Sequence, residues 1–322
     1  MTATVLLTDY AWPDDSIERS VVEGAGFSLV SGPPAPAESN VIEALVAKHQ
    51  PAGILTCWAT VSAEAIATSQ NLRIVARLGV GLDNIAVNAA TEKGIWVTNV
   101  PDYCVDEVSD HAVGFALAWT RGLLHFDRDV RAGRWDPASA KLRRIANMTV
   151  GIIGFGRIGR ATAKKLAAFG CSLLAHDPGL QGQADGVTCV ELDELLARSE
   201  IVIVHAPLLP STHHLINSER LAKMPQGGLI INVSRGGVVD TDAVTAALLS
   251  GHLSAAGLDV LESEPDVPAS LLAQPGAMLT PHVAFSSDAS LAELRRRAAE
   301  EVVRVLKGEP PREPRNRPIA NN

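Results

Sequence analysis

The chain has 322 residues, with 28 Lys plus Arg against 36 Asp plus Glu and a formal net charge of −8. At about 150 residues per domain this length predicts two domains, and the acidic balance excludes a basic nucleic-acid footprint while leaving small acidic substrates open, because a site can be locally positive. Apolar residues make up 47% and charged residues 20%, which excludes wholesale disorder, and no apolar run is long enough to predict a transmembrane helix.

The opening MTATVLLTDYAWPDD has no basic region and gains acids early, so no secretory leader is expected. The cysteines Cys57, Cys104, Cys171 and Cys189 form no CxxC and predict neither a disulfide scaffold nor a structural zinc site. The expected location is cytoplasmic. In chain order, short apolar runs at 5–7, 27–30, 54–55, 74–76 and 96–98 alternate with helical patterns such as 63–67 and 85–93. This alternation predicts an α/β domain with a doubly wound parallel sheet. Within it, Arg77 to Ile85 (RLGVGLDNI) takes a strand into a Gly-x-Gly loop and then a helix. Such a loop is either an anion-binding row of amides or an ordinary tight turn. Trp12, Cys57 and Trp58 read as packing residues.

The longest helical pattern runs over 105–132, with Val108, Ala112, Phe115, Ala116, Trp119 and Leu123 at helix spacing, and it is expected to be one helix. Residues 134–147 read as a loop. A second set of runs follows at 150–154, 172–176, 201–205, 229–233, 256–260 and 278–280, with helical patterns at 161–169 and 241–249. It predicts a second doubly wound domain. Its first strand runs into GFGRIG, in which Gly154, Gly156 and Gly159 stand between strand and helix. Gly154 allows the tight turn, Gly156 lets a pyrophosphate approach the backbone, and Gly159 lets helix and strand pack closely. Asp177 ends the next strand, 18 residues after Gly159. A carboxylate there accepts the ribose hydroxyls and repels a 2′-phosphate. No Lys or Arg follows at Pro178 or Gly179, so NAD is expected rather than NADP.

Three polar residues lie just past the carboxyl ends of predicted strands, the edge at which open α/β sheets bind ligands. Arg235 follows the strand at 229–233. Either Glu262 or Glu264 follows the strand at 256–260, and local pattern does not separate them. His282 follows the run at 278–280. A His can protonate a carbonyl oxygen as hydride arrives at carbon, a carboxylate beside it favours the imidazolium, and an Arg can grip a carboxylate and the adjacent carbonyl. Taken singly, His282 reads as structural and Arg235 as a solvated loop residue; their shared edge favours the functional reading. His205 reads as structural or as lining the cofactor cleft. The adjacent His213 and His214 cannot share one helical face, no carboxylate partner is apparent, and no metal is predicted. A helix is expected at 289–306, and the tail 308–322, with four prolines, reads as an extended arm or as partly disordered.

With these motifs in hand, the sequence resembles the D-isomer-specific 2-hydroxyacid dehydrogenases over roughly residues 5–311, through RLGVGLDNI, GFGRIG, NVSRGGVVD, LDVLESEP and TPH. The segments NVPDYCVDEVSDHA and SLAELRRRAAEEVVRVLKGEPPR are similar to the C-terminal-binding-protein-like branch, related to phosphoglycerate dehydrogenases. The resemblance implies a substrate-binding domain split into 1–100 and 289–322 around an NAD-binding domain at 101–288, with substrate in the cleft. It implies that Arg235 binds substrate, that Glu264, the acid directly before proline, is the catalytic carboxylate, and that His282 is the acid–base. It further implies that Arg77 and the backbone of Val80 and Gly81 hold the substrate. The cofactor contacts it implies are Arg157, Ile158, Pro207, Thr212, Val233, Ser234 and Asp259, and the expected assembly is a homodimer through the helix at 105–132. Ala86, Leu209 and Phe285 depart from residues common in the family, and Phe285 stands where the branch often has Trp beside the substrate. No regulatory extension of the kind found in long phosphoglycerate dehydrogenases is expected. Two alternatives stay open: an NAD-responsive binding protein, or a dehydrogenase of another small anion such as phosphite, formate or a phosphonate-bearing oxo acid.

Overall fold

The computed structural model describes residues 2–10 and 12–319. The chain forms two compact units, Met1–Tyr103 with Ser287–Asn322, and Cys104–Ser286.

The first unit contains β1 (Thr4–Leu7), α1 (Ser16–Gly24), β2 (Ser28–Ser31), α2 (Ser39–His49), β3 (Gly53–Thr56), α3 (Ala63–Thr68), β4 (Ile74–Arg77), α4 (Val87–Glu92) and β5 (Trp96–Thr98). Its five strands are parallel, in the order β2-β1-β3-β4-β5. Strands buried on both faces read as continuous apolar runs rather than alternating ones, and Ile54, Leu55, Ile74, Val75 and Ala76 are wholly buried. The last helix of the chain, Asp288–Leu306, returns to this unit and packs on β3, β4 and α1. A buried ion pair fastens it there: Arg295 Nη2 donates to Glu18 Oε2 at 2.7 Å, and its guanidinium lies 5.1 Å from the Trp12 ring centroid. The tail is an extended arm along β5, where Arg315 N–H donates to the Val97 carbonyl at 2.8 Å and Pro314 bridges Thr98. Residues 320–322 of the tail lie outside the described residues.

The second unit contains α5 (Val105–Thr120), α6 (Leu123–Arg131), β6 (Thr149–Ile153), α7 (Arg157–Ala167), β7 (Ser172–His176), β8 (Gly182–Ala184), β9 (Val187–Cys189), α8 (Leu192–Arg198), β10 (Ile201–Val204), α9 (Ser218–Leu221), β11 (Gly228–Asn232), α10 (Thr241–Leu249), β12 (Leu253–Leu258), α11 (Ala269–Leu272) and β13 (Ala277–Leu279). Strand order is β13-β12-β11-β10-β6-β7-β9-β8, parallel except for β8 against β9. The chain winds away from β6 through β7 to one edge, then returns through β10 to the other. The carboxyl end of β6 is therefore the topological switch point, where such sheets bind ligands.

Two features differ from the sequence expectations. The helix expected over 105–132 breaks at Arg121-Gly122: Gly122 adopts φ +61, its N–H caps the Trp119 carbonyl at 3.1 Å, and α6 starts afresh. Helical spacing continues through the break, but a left-handed glycine ends a helix whatever the apolar period. The β8–β9 hairpin was not expected either. Asp185 and Gly186 turn it with φ +49 and +79, the pair that a two-residue hairpin turn requires.

Candidate active site

The glycine loop joins β6 to α7. Gly154 has φ +88, and a Cβ on it would lie 2.6 Å from the Ala206 nitrogen. A Cβ on Gly159 would lie 2.2 Å from the Gly154 carbonyl oxygen, so the first turn of α7 presses on the end of β6. A Cβ on Gly156 meets nothing within 4 Å, and this side of the loop offers room for a pyrophosphate at the helix N-terminus. Arg157 is exposed and Ile158 half-buried on that first turn. Asp177 is pinned to the same loop: one carboxylate oxygen accepts from Phe155 N–H and the other from Gly179 N–H, each at 3.0 Å. It lines a cavity of about 550 Å³ together with His176, Leu180, Cys189, Glu191 and Glu194. Three carboxylates in its lining suit ribose hydroxyls and oppose a 2′-phosphate. These residues fit a dinucleotide of the NAD type.

Pro207 is exposed at the turn after β10, where its carbonyl accepts the Thr212 hydroxyl at 2.6 Å. His205 is half-buried beneath it and shares a 2.9 Å hydrogen bond with Thr162. Burial of its ring drives its pKa down to about 3, so it is neutral.

Beyond β11, Asn232 folds the chain into a tight bend. Its Oδ1 accepts the Ser234 N–H and hydroxyl at 3.1 and 2.9 Å, and its Nδ2 donates to the Arg235 carbonyl at 3.0 Å. Val233 is buried within this bend and Arg235 is half-buried, with Nη1 donating to the Ser234 carbonyl at 2.9 Å. Gly236 is in tight contact with the Leu261 carbonyl, which a Cβ would meet at 2.0 Å. This contact joins the Arg235 bend to the loop that bears the acids.

That loop separates the two glutamates. Glu264, directly before the cis bond to Pro265, accepts from Leu261 N–H at 2.9 Å and from His282 Nδ1 at 2.7 Å. Burial opposes its ionisation, but the His282 hydrogen bond and charge, the Leu261 amide and Arg235 outweigh this and hold its pKa below the ordinary carboxylate value. Glu262 points elsewhere, to His214 and Thr241. His282 has φ +51, a left-handed conformation costing a non-glycine residue about 1–3 kcal/mol. The Phe285 ring stands edge-to-face with it, the two ring centroids 6.2 Å apart at an interplanar angle of 78°.

Asp259 is 3% exposed, and its carboxylate is engaged within the protein. It accepts from the Thr280 hydroxyl at 2.6 Å, Val283 N–H at 2.9 Å and Ala284 N–H at 2.9 Å. His111 Nε2 meets the Thr280 oxygen at 3.0 Å. The residue that the resemblance implies as a cofactor contact shapes the loop bearing His282. Sequence reasoning missed this role and that of Asn232; the signal available was a polar residue at the end of an apolar strand, which must find partners.

In the first unit Arg77 ends β4 and is 5% exposed. Nε donates to Asn84 Oδ1 at 3.1 Å, Nη1 donates to the Leu78 carbonyl, and the guanidinium lies 5.5 Å from the Trp58 ring centroid. Trp58 itself belongs to a loop held by buried Asp9, whose carboxylate accepts the N–H groups of Cys57, Trp58 and Ala59 at 2.7–3.1 Å. The carbonyl of Gly79 accepts Val100 N–H at 3.1 Å and that of Val80 accepts Asn99 Nδ2 at 2.5 Å. In a trans peptide the following N–H points opposite to the carbonyl. The amides of Val80 and Gly81 therefore lie on the opposite side of these peptides from Val100 and Asn99.

One expectation about histidines is corrected. His213 and His214 do have a carboxylate partner, Glu262, and donor atoms of all three lie within 4.8 Å of one another. The partner is 48 residues away in sequence and no local pattern reveals it. The two imidazoles stack at 4.1 Å with a 24° interplanar angle. His214 is the member of the stacked pair that is hydrogen-bonded to Glu262.

The sequence model for the NAD binding domain of the D-isomer specific 2-hydroxyacid dehydrogenases matches residues 113–284. Hydroxypyruvate reductase of Thermotoga maritima is 40% identical over 249 residues, covering 76% of this chain and 80% of that protein. D-3-phosphoglycerate dehydrogenase of Mycobacterium leprae is 41% identical over 251 residues, which is 77% of this chain but 47% of that longer protein. The crystal structure of D-lactate dehydrogenase from Aquifex aeolicus, complexed with NAD and lactic acid, superposes with a TM-score of 0.85 at 28% identity, over 95% of this chain and 96% of that one. With its NAD-binding fingerprint, its Glu264–His282 pair and these relatives, the chain belongs to the family of D-isomer-specific 2-hydroxyacid dehydrogenases.

Proposed function

We propose that the protein reduces a small 2-oxo acid to the D-2-hydroxy acid with NADH, and catalyses the reverse oxidation. The observation that carries this reading is the 2.7 Å bond between Glu264 Oε2 and His282 Nδ1, past the carboxyl ends of adjacent parallel strands and in the same unit as the dinucleotide loop. When bound, the reduced nicotinamide supplies the hydride that adds to C2 of the substrate. Glu264 holds the imidazolium of His282 through Nδ1, and Nε2 donates a proton to the C2 oxygen as negative charge grows there. Arg235 offers its planar fork to the same oxygen and the adjacent carboxylate. In oxidation, neutral His282 takes the hydroxyl proton.

The remaining roles belong to the same proposal. The split unit binds substrate, Arg77 and the amides of Val80 and Gly81 taking its carboxylate. Gly154, Gly156, Arg157, Ile158, Gly159, Asp177, Pro207, Thr212, Val233, Ser234 and Asp259 line the path of the cofactor. A homodimer through residues 105–132 is supported by α6, whose Leu123, Leu124 and Val130 are 57%, 46% and 50% exposed. No helix of the described residues is long and apolar enough to cross a membrane. A cytoplasmic location agrees with four cysteines none of which is in a disulfide.

The test follows NADH oxidation by absorbance against a panel of 2-oxo acids, with NADPH, phosphite, formate and the His282→Ala variant alongside. Turnover of a 2-oxo acid that is lost in His282→Ala is the expected result. Tight NADH binding without turnover of any panel member would move the assignment to an NAD-responsive binding role.

A further inference from the structure

We propose that Glu262 and His214 form a positioning strut that holds the loop bearing Glu264, and thereby sets how firmly Glu264 is held against His282. The inference rests on the catalytic pairing of Glu264 with His282.

The loop leaves β12 and turns at Ser263, whose carbonyl accepts Asp266 N–H at 2.7 Å. Residues 262–265 form a turn rather than an extended strand, and along it Glu262 and Glu264 diverge to different partners. Glu262 is held at both carboxylate oxygens: His214 Nε2 donates to Oε1 at 2.5 Å, and Thr241 N–H, on the first turn of α10, donates to Oε2 at 2.8 Å. His214 is itself fixed. It has φ +48, its N–H donates to the Gly237 carbonyl at 2.8 Å, and Ile216 bridges Val239 two residues on. The strut therefore joins three segments: 214–216, the start of α10, and the acid loop.

Its consequence reaches the catalytic pair through one short piece of main chain. Glu264 Oε1 accepts from Leu261 N–H at 2.9 Å, and Leu261 is the residue next to Glu262 and against Gly236. Holding Glu262 from one side and Leu261 from the other leaves the peptide between them little freedom to rotate. The Leu261 amide then presents its hydrogen to Glu264 in one direction, and the second oxygen faces His282. Within this unit the charged groups that face Glu264 are His282 and Arg235. Those that face the strut are Asp240 beside His214, and the ring of His213 stacked on it. Glu262 raises the His214 pKa by hydrogen bond and charge, against a smaller opposing effect of burial, so the strut carries a charge-assisted hydrogen bond, stronger than a neutral one.

The test uses the full chain with NADH and whichever 2-oxo acid it turns over. Glu264→Gln serves as the reference: losing the carboxylate moves the reduction profile to lower pH, because reduction needs protonated His282. Glu262→Ala and His214→Gln are expected to move the profile in the same direction by a smaller amount. Each should lower kcat about 10-fold, the scale of a sub-ångström displacement of a catalytic group, with KM for NADH unchanged. Glu262→Gln, which can still accept from Thr241 and pair with His214 but without the charge, is expected to give a profile between those of Glu262→Ala and the parent. A merely structural role would lower the melting temperature and leave the profile where it was. Should Glu262→Ala fail to fold, His214→Gln carries the test from outside the loop. Parental profiles in both strut variants, with Glu264→Gln shifted, overturn the strut alone. An unshifted Glu264→Gln overturns the pairing beneath it.

Discussion

The main-chain carbonyl of Asp259 accepts the amide of His282 at 2.8 Å, and the Asp259 carboxylate holds the two amides that follow it, those of Val283 and Ala284. A residue at the end of β12 thus fixes the backbone on which the acid–base histidine stands, in a left-handed conformation that it would not keep alone.

Replacing that carboxylate tests the relationship. Asp259→Ala leaves two amides and the Thr280 hydroxyl without their acceptor, at about 1–3 kcal/mol for each buried group left unpaired. The expected result is a lower melting temperature together with a fall in kcat of roughly 100-fold. Unchanged kcat in a folded Asp259→Ala protein would detach His282 from this support.

In the proposed function Asp177 sets cofactor preference. Asp177→Ser removes a charge-assisted contact to the ribose, worth about 1.5–3 kcal/mol, and one of three carboxylates on the wall of the cavity. KM for NADH should rise at least about 10-fold, and the ratio of kcat/KM for NADH over NADPH should narrow. Glu191 and Glu194 remain, so the preference should weaken without inverting. An unaltered ratio would show that discrimination lies elsewhere.

His205 makes the NAD-binding unit acid-sensitive. Its folded pKa is about 3, below the roughly 6.5 of an unfolded histidine. Between these values the unfolded chain binds a proton that the folded one refuses. Its contribution to stability is therefore complete above about pH 6.5 and is lost as pH falls towards 3, by up to about 1.4 kcal/mol per pH unit. His205→Gln should flatten the acid side of a plot of melting temperature against pH. An acid limb as steep as in the parent would assign the sensitivity to carboxylates.

The Glu18–Arg295 pair ties the last helix to the split unit. Glu18 is fully buried and Arg295 is 7% exposed. Removing one partner of such a pair leaves an uncompensated charge, at about 3–5 kcal/mol. Glu18→Ala should lower unfolding stability by that amount and speed hydrogen exchange in Asp288–Leu306. Glu18→Leu with Arg295→Met should recover most of the loss. No faster exchange in that helix would mean that apolar packing alone holds it.

Much of this molecule is legible from the chain before it folds. Strands such as Ile201–Val204 are buried along their whole length and declare themselves as apolar runs. The glycine loop is a local device: Gly154, Gly156 and Gly159 are few residues apart, and their spacing states the turn, the open approach and the helix contact together. Arg235, His282 and an acid at 262 or 264 stand out as candidates because each lies a few residues past a strand end, and a parallel sheet puts all such ends on one edge. The hairpin turn at Asp185-Gly186 is also written locally, in an Asp-Gly pair.

What remained depended on partners distant in sequence. Glu262 and Glu264 have the same local setting, and the resemblance chose between them before any geometry was known. The physical difference comes from the Leu261–Gly236 contact and from His214 and Thr241, which turn one acid aside and leave the other for His282. The break at Gly122 escaped helical spacing because periodicity reports which face is apolar, whereas a φ of +61 is chosen by how the next segment must leave. Apolar pattern and glycine spacing act over a few residues, within reach of sequence reading. The direction of a side chain in a loop is decided by whichever donor the fold brings beside it, and that donor can be 48 residues away, as His214 is from Glu262.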